Sequence, residues 1–135
     1  MNFGTYSGGN VIPLSLYTKE KKLLRVELRI RPFAKELLKS LSKNFEIGIF
    51  TASHQSYADQ VIQELDPKNN LITFKFFREN CIEIEEGKFV KDLRILKGRN
   101  LNNVLLIDNC IHSFGYQLDN GIPILPFFKD KDDRE

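Results

Sequence analysis

Polar side chains follow two apolar runs of this sequence, at the position where each run ends. Residues 105–107 lead into Asp108 and Asn109, and residues 46–50 lead into Thr51 and Ser53. Carboxylate and amide oxygens are ligands that suit Mg²⁺, with water filling most other coordination positions. Hydroxyls beside the N–H groups that open a helix suit an anion such as phosphate. The two segments therefore predict a site for a metal ion and a phosphate group.

Each of these features also has an ordinary structural interpretation. Ser53 can cap a helix, and Asp108 with Asn109 can form the turn after a strand. Lys91 and Arg78 can each neutralise a phosphate oxygen as a cation, or can be solvated surface residues. The two histidines, His54 and His112, have no partner at ligand spacing, which favours surface or loop positions.

The surrounding pattern predicts the elements that hold these residues. Period-2 alternation and turn residues predict two hairpins, over 11–30 and 82–90. Helical spacing predicts a helix that begins at Pro32, and another over 57–65 with Ser56 as N-cap and Asp59 in a capping box. Further strands are predicted over 46–50, 72–78, 104–107 and 122–125, with a helical turn over 92–96. Strands that alternate with helices predict an α/β fold with a parallel sheet, in which ligands bind beyond the carboxyl ends of the strands.

Length and composition set the broad class. The 135 residues predict a single domain, 1–135, in which the polar, glycine-bearing residues 1–10 are loose. A net charge of +2 gives no support for nucleic acid as a partner. The sequence contains no apolar run of membrane-spanning length, so no membrane association is predicted. Cys81 and Cys110 lack metal-type spacing and are predicted to be free thiols.

Several short motifs, taken in order, resemble one known family. The sequence is similar to the small carboxy-terminal-domain (CTD) phosphatases of the haloacid dehalogenase superfamily, and most similar to the CTD small phosphatase-like branch. The resemblance covers residues 11–135 and rests on Arg31-Pro32, Phe50-Thr51-Ala52-Ser53, Tyr57-Ala58-Asp59, Leu65-Asp66-Pro67, Phe77-Arg78-Glu79-Asn80-Cys81, Val90-Lys91-Asp92-Leu93, Leu106-Ile107-Asp108-Asn109 and Asn120-Gly121-Ile122-Pro123.

This resemblance implies a haloacid-dehalogenase-like fold and a Mg²⁺-dependent phosphatase that acts on phosphoserine or phosphothreonine in proteins through an aspartyl-phosphate. It implies that Thr51 and Lys91 bind the phosphate and that Asn109 ligates Mg²⁺, with Asp108 ordering a metal-bound water. Arg78 and Ser53 would contact the substrate. The partner would be a phosphoprotein, and the location would be the nucleus or the cytoplasm.

The sequence departs from the family at the nucleophile. The family carries Asp-x-Asp-x-Thr at the end of a central strand, and this sequence contains no such motif. The family also continues into a C-terminal helix. We therefore expect an incomplete catalytic domain that lacks the central first strand and that helix. Two interpretations stay open: a truncated phosphatase that is inactive alone, or a pseudophosphatase that binds phosphoproteins or a partner.

Overall fold

The fold is described here for residues 11–128 and 133 of a computed structural model of the chain. The expectation that residues 1–10 are loose falls outside these residues. The strands are β1 (Val11–Tyr17), β2 (Leu23–Arg29), β3 (Ile47–Phe50), β4 (Ile72–Phe76), β5 (Ile82–Glu85), β6 (Lys88–Val90), β7 (Leu106–Asp108) and β8 (Gly121–Pro123). The α-helices are α1 (Ala34–Leu41) and α2 (Gln55–Leu65), and short 3₁₀ turns occupy 78–80, 93–95, 101–103, 111–114 and 118–120.

Both predicted hairpins are present. β1 pairs antiparallel with β2 from Val11 opposite Arg29 to Tyr17 opposite Leu23. Alternation buries Leu14 and Leu28, and their neighbours along each strand face outward. β5 and β6 form the smaller hairpin, with Gly87 at φ 74° in its turn, a backbone angle that glycine adopts without steric cost.

The remaining strands form two parallel pairs. β3 pairs with β4, and β7 pairs with β8. The α/β prediction is therefore confirmed, but the parallel strands do not form one continuous sheet. Within residues 11–128, no strand is hydrogen-bonded between β3 and β7, so each of these strands has a ladder on one side only.

Side-chain packing connects the two pairs. Ile47 and Ile49 of β3 pack beneath α2, in a cluster with Ala58, Ile62, Ile72 and Phe77. On the other side, Phe50 of β3 packs with Phe74 and Phe76 of β4 into a second cluster, which contains Leu93, Leu96, Leu106 and Phe114. The period-2 geometry of β3 thus divides its side chains between two cores.

Both predicted helix starts are wrong. Pro32 does not open α1, because Phe33 has φ 63° and ψ 3°, and the Ala34 N–H donates to the Arg31 carbonyl (3.2 Å). These features match a type II turn with proline at its first central position, and the helix begins after it. Helix α2 begins at Gln55 with His54 as N-cap and no side-chain cap, so Ser56 lies inside the first turn and forms no capping box with Asp59.

The segment after β8 concerns the predicted absence of a C-terminal helix. Beyond β8, residues 124–128 of the described part contain no helix; the missing C-terminal helix stays a prediction. No helix in that part is long and apolar enough to span a membrane.

Candidate functional site

The loop after β3 is a compact hydrogen-bonded turn. The Thr51 N–H donates to the Phe76 carbonyl (2.9 Å), which extends the β3–β4 ladder by one residue. The Thr51 Oγ1 accepts the Ser53 N–H (3.0 Å). Because that oxygen acts as acceptor within the loop, the hydroxyl proton is left to donate to a ligand.

Arg78, which follows β4, is attached to the same loop. Its N–H donates to the Ser53 carbonyl (3.1 Å), and its Nε donates to the Ala52 carbonyl (2.6 Å). The guanidinium carbon lies 5.2 Å from the centre of the Phe89 ring on β6, within the range of a cation–π contact. The structure thus places Thr51 and Ser53 after β3, and it brings Arg78, predicted within the strand 72–78, to the same loop.

Lys91 and Asp108 form a buried ion pair. The Lys91 Nζ contacts Asp108 Oδ2, and the two side chains are 11% and 8% exposed. The Lys91 N–H donates to the Ser113 carbonyl (2.8 Å), so the backbone of the residue after β6 is held against the 111–114 turn. The other Asp108 oxygen, Oδ1, accepts the Cys110 N–H (2.8 Å). Both carboxylate oxygens therefore have a donor, as burial of a charge requires.

Asn109 follows Asp108 and is exposed. Its side chain makes no hydrogen bond to any other described residue, so its amide oxygen is available to a ligand in solvent. No group of three or more His, Cys, Asp or Glu residues that could hold a metal ion occurs among the described residues. The donor set at this edge is one carboxylate and one amide, which is enough for Mg²⁺ only if phosphate and water complete its coordination.

Cys81 connects the two groups of residues. Its thiol lies 3.6 Å from the Thr51 carbonyl and 3.7 Å from the Phe77 carbonyl. Burial raises the pKa of Cys81, although the nearby positive charges of Lys91 and Arg78 oppose that effect. Asp108 also acts on this thiol electrostatically. One half-buried sulfur thus lies within electrostatic range of both the Arg78 side and the Lys91–Asp108 side.

Two residues of this region were not predicted as site residues. His54 is exposed, as expected, but its Nε2 lies 3.0 Å from the Arg78 Nη1, and it lines a cleft with Ser53 and Arg78. Its position directly after Ser53 was the signal available in the sequence. For Cys81 the sequence predicts only a free thiol, which is confirmed; its place between the two halves depends on tertiary structure.

Comparisons with known proteins identify the family. The chain is 46% identical over 111 residues to CTD small phosphatase-like protein 3 of Caenorhabditis elegans. That alignment covers 82% of this chain and 38% of the relative. It is 46% identical over 105 residues to CTD small phosphatase-like protein 2 of Dictyostelium discoideum, covering 78% of this chain and 18% of the relative. The chain is 39% identical over 105 residues to a human relative, carboxy-terminal domain RNA polymerase II polypeptide A small phosphatase 1. That alignment covers 78% of this chain and 39% of the relative. The chain thus spans less than half the length of these relatives.

Comparison with solved structures identifies a similar fold. The structure of Fcp1, described as an essential RNA polymerase II CTD phosphatase, matches with a TM-score of 0.74 and 21% identity over 88% of this chain and 32% of that one. A structure of fission yeast Fcp1 bound to beryllium fluoride matches with the same TM-score and 20% identity, over 87% of this chain and 32% of the other. These matches confirm the haloacid-dehalogenase-like α/β fold. The family described as NLI interacting factor-like phosphatase matches residues 6–135, and the chain belongs to that family.

Proposed function

We propose that this chain is the phosphate- and metal-binding portion of a Mg²⁺-dependent phosphatase domain that acts on phosphoserine or phosphothreonine in proteins. The observation that carries the proposal is the buried Lys91–Asp108 pair, placed beside exposed Asn109 at the carboxyl end of β7. Buried lysines are uncommon, and an ammonium that has one carboxylate partner keeps further donors for an anionic ligand.

The chemistry of each residue supports its proposed role. The Thr51 hydroxyl can donate to a phosphate oxygen, because its own oxygen already accepts from Ser53. The Lys91 ammonium carries three N–H donors, of which one suffices for Asp108, and the others can meet phosphate oxygens. Low solvent exposure strengthens these charge–charge contacts relative to water.

Asp108 and Asn109 would hold Mg²⁺. Asn109 offers a direct amide ligand, and the Asp108 carboxylate can accept from a metal-bound water while it remains paired with Lys91. When bound, the ion would neutralise phosphate charge and polarise its oxygens. The Lys91 ammonium offsets the charge of the Asp108 carboxylate, so the site can accept an anion although it contains a carboxylate.

Hydrolysis by the family's mechanism needs a nucleophile motif that this sequence does not contain. No Asp-x-Asp-x-Thr occurs in it, so we propose that the 135-residue chain binds phosphoprotein without turning it over. The alternative is a pseudophosphatase whose whole function is that binding. An in-frame Asp-x-Asp-x-Thr segment in the encoding gene would favour the phosphatase, and turnover restored by supplying such a segment would support it further.

The test measures binding and turnover separately. Isothermal titration of the chain with a phosphoserine peptide should show binding that needs Mg²⁺ and that an unphosphorylated peptide lacks. Hydrolysis of an aryl phosphate should be undetectable. Equal affinity for both peptides would contradict the proposal, and turnover abolished by Asn109→Ala would contradict the missing nucleophile.

The names of the relatives suggest a class of substrate and a cellular location. Two human relatives are named for RNA polymerase II polypeptide A, so a phosphorylated tail of that kind is a candidate ligand. We propose a phosphoprotein partner in the nucleus or cytoplasm.

A further inference from the structure

A cleft of about 280 Å³ opens beside the Thr51–Ser53 loop, lined by residues of that loop, of the β1–β2 hairpin and of helix α2. Leu16, Leu24 and Tyr57 supply apolar surface along it, and Ser53, His54 and Arg78 supply polar groups. Since Ser53 and Arg78 also belong to the candidate phosphate site, a peptide bound there would place a neighbouring side chain in this cleft.

Arg78 is held with part of its guanidinium unused. Nε donates to the Ala52 carbonyl and Nη1 to His54, and the group stacks near Phe89. Within the described residues, Nη2 has no hydrogen-bond acceptor and Arg78 forms no ion pair. A fixed guanidinium with open N–H groups binds a carboxylate or phosphate with little further loss of side-chain entropy.

The contact between His54 and Arg78 requires one tautomer of the imidazole ring. Arginine can only donate, so the Nε2 that lies 3.0 Å from Nη1 must accept, and the proton of a neutral imidazole then lies on Nδ1. In that tautomer, His54 accepts from Arg78 and still presents one N–H donor.

The charge around the cleft is one-sided. No aspartate or glutamate is among the described residues that line it. The adjoining β1–β2 turn, residues 18–22, carries three lysines and one glutamate, and that Glu20 is paired with Lys22 (3.1 Å). The excess of positive charge favours an anionic occupant.

We propose that His54 and Arg78 form a second anion subsite, which selects phosphopeptides carrying an acidic or second phosphorylated side chain close to the first phosphate. This inference rests on the proposed function and adds substrate selectivity to it. Arg78 would contact the anion directly, and His54 would position Arg78 and contribute its Nδ1–H.

The experiment measures dissociation constants by fluorescence anisotropy of labelled phosphoserine peptides on the 135-residue chain with Mg²⁺. One peptide series places a single glutamate at successive positions on either side of the phosphoserine, and a second series places another phosphoserine there. The reference peptide has alanine at all these positions. At one position or more, the acidic or doubly phosphorylated peptide should bind about tenfold tighter than the reference, the gain expected from one charge-assisted hydrogen-bonded contact at a partly exposed site. The two series distinguish a carboxylate from a phosphate as the occupant.

The variants assign the gain to its residues. His54→Leu should abolish the preference, and His54→Gln, whose amide oxygen can accept from Arg78, should restore part of it. The matched control is His112→Leu, which removes the other, exposed histidine of the chain and should leave the preference intact. A wild-type preference for apolar neighbours, no preference at all, or an acid preference that survives His54→Leu would overturn the subsite while leaving phosphate binding standing. If phosphorylation itself adds no affinity, the proposed function fails and the subsite fails with it.

Discussion

Removing one partner of the buried Lys91–Asp108 pair should destabilise the fold, and removing the second partner as well should add less than its removal costs alone. Lys91→Met leaves the Asp108 carboxylate, in a side chain 8% exposed, with the Cys110 N–H as its one donor among the described residues. Breaking a buried pair in this way costs about 3–5 kcal/mol. We expect the lower end, about 3 kcal/mol, because the Cys110 hydrogen bond survives. With a urea dependence of about 2 kcal/mol per molar, the unfolding midpoint should fall by about 1.5 M.

The double variant supplies the decisive comparison. Asn at position 108 keeps an oxygen for the Cys110 N–H, and Met at position 91 keeps most of the lysine's packing. Lys91→Met with Asp108→Asn should therefore cost less than the two single changes added together, with a coupling energy of about 2 kcal/mol. Urea unfolding followed by circular dichroism measures all four chains.

A control pair and a clear contrary result accompany this cycle. Lys88 and Glu85 also form an ion pair (2.5 Å), but their side chains are 46% and 66% exposed, so the same cycle with Lys88→Met and Glu85→Gln should be close to additive. Additivity within about 0.5 kcal/mol at Lys91 and Asp108 as well would refute the buried pair as an energetic unit.

Three further predictions concern the metal, acid stability and packing. Asn109→Ala should abolish the Mg²⁺ dependence of phosphopeptide binding measured by calorimetry, with an unchanged urea midpoint because the side chain is exposed; a shifted midpoint with intact Mg²⁺ dependence would argue against a ligand role. Burial opposes ionisation of Asp66, but three backbone N–H groups, including that of Ile72, outweigh burial and lower the pKa of Asp66. The contribution of ionised Asp66 to the stability of the fold is therefore complete above its unfolded-state pKa and is lost as pH falls below about 4. Asp66→Asn should flatten the fall in thermal midpoint between about pH 5 and pH 3. Gly48→Ala would place a Cβ 2.0 Å from the Phe74 ring and should lower the free energy of unfolding, measured in urea, by about 1–3 kcal/mol. The Gly48→Ala, Phe74→Leu double variant should recover part of that stability. Equal stability of Gly48→Ala and wild type would show that the ring moves aside without cost.

The sequence predicts features that depend on neighbours along the chain. Alternation in residues 24–30 predicts β2, and an apolar run that ends in Asp108 predicts β7 with Asp108 at its carboxyl end. Such features hold because each residue's place on a strand follows from the period of the backbone alone.

The predictions that fail concern features that tertiary contacts determine. Phe33 adopts a left-handed backbone that an aromatic residue does not favour by itself, so nothing local marks α1 as starting after it. Helix α2 starts at Gln55 without a side-chain cap; a contact from outside it, the Gln60 Nε2 bond to the Ser15 carbonyl of β1 (3.0 Å), helps to hold it. The cleft residue His54 gains its meaning only from Arg78, 24 positions away.

The two cysteines of the chain differ in a way that experiments can use. Cys110 is exposed, directly follows Asn109, and donates its N–H to Asp108, whereas Cys81 is half-buried with a raised pKa and so remains largely a thiol at neutral pH. Because thiolates react with alkylating reagents and thiols do not, Cys81 should be labelled slowly, and a maleimide dye should attach first at Cys110. A fluorophore there would sit one residue from the proposed metal ligand and would report ion and phosphate binding in real time, without a substrate being turned over.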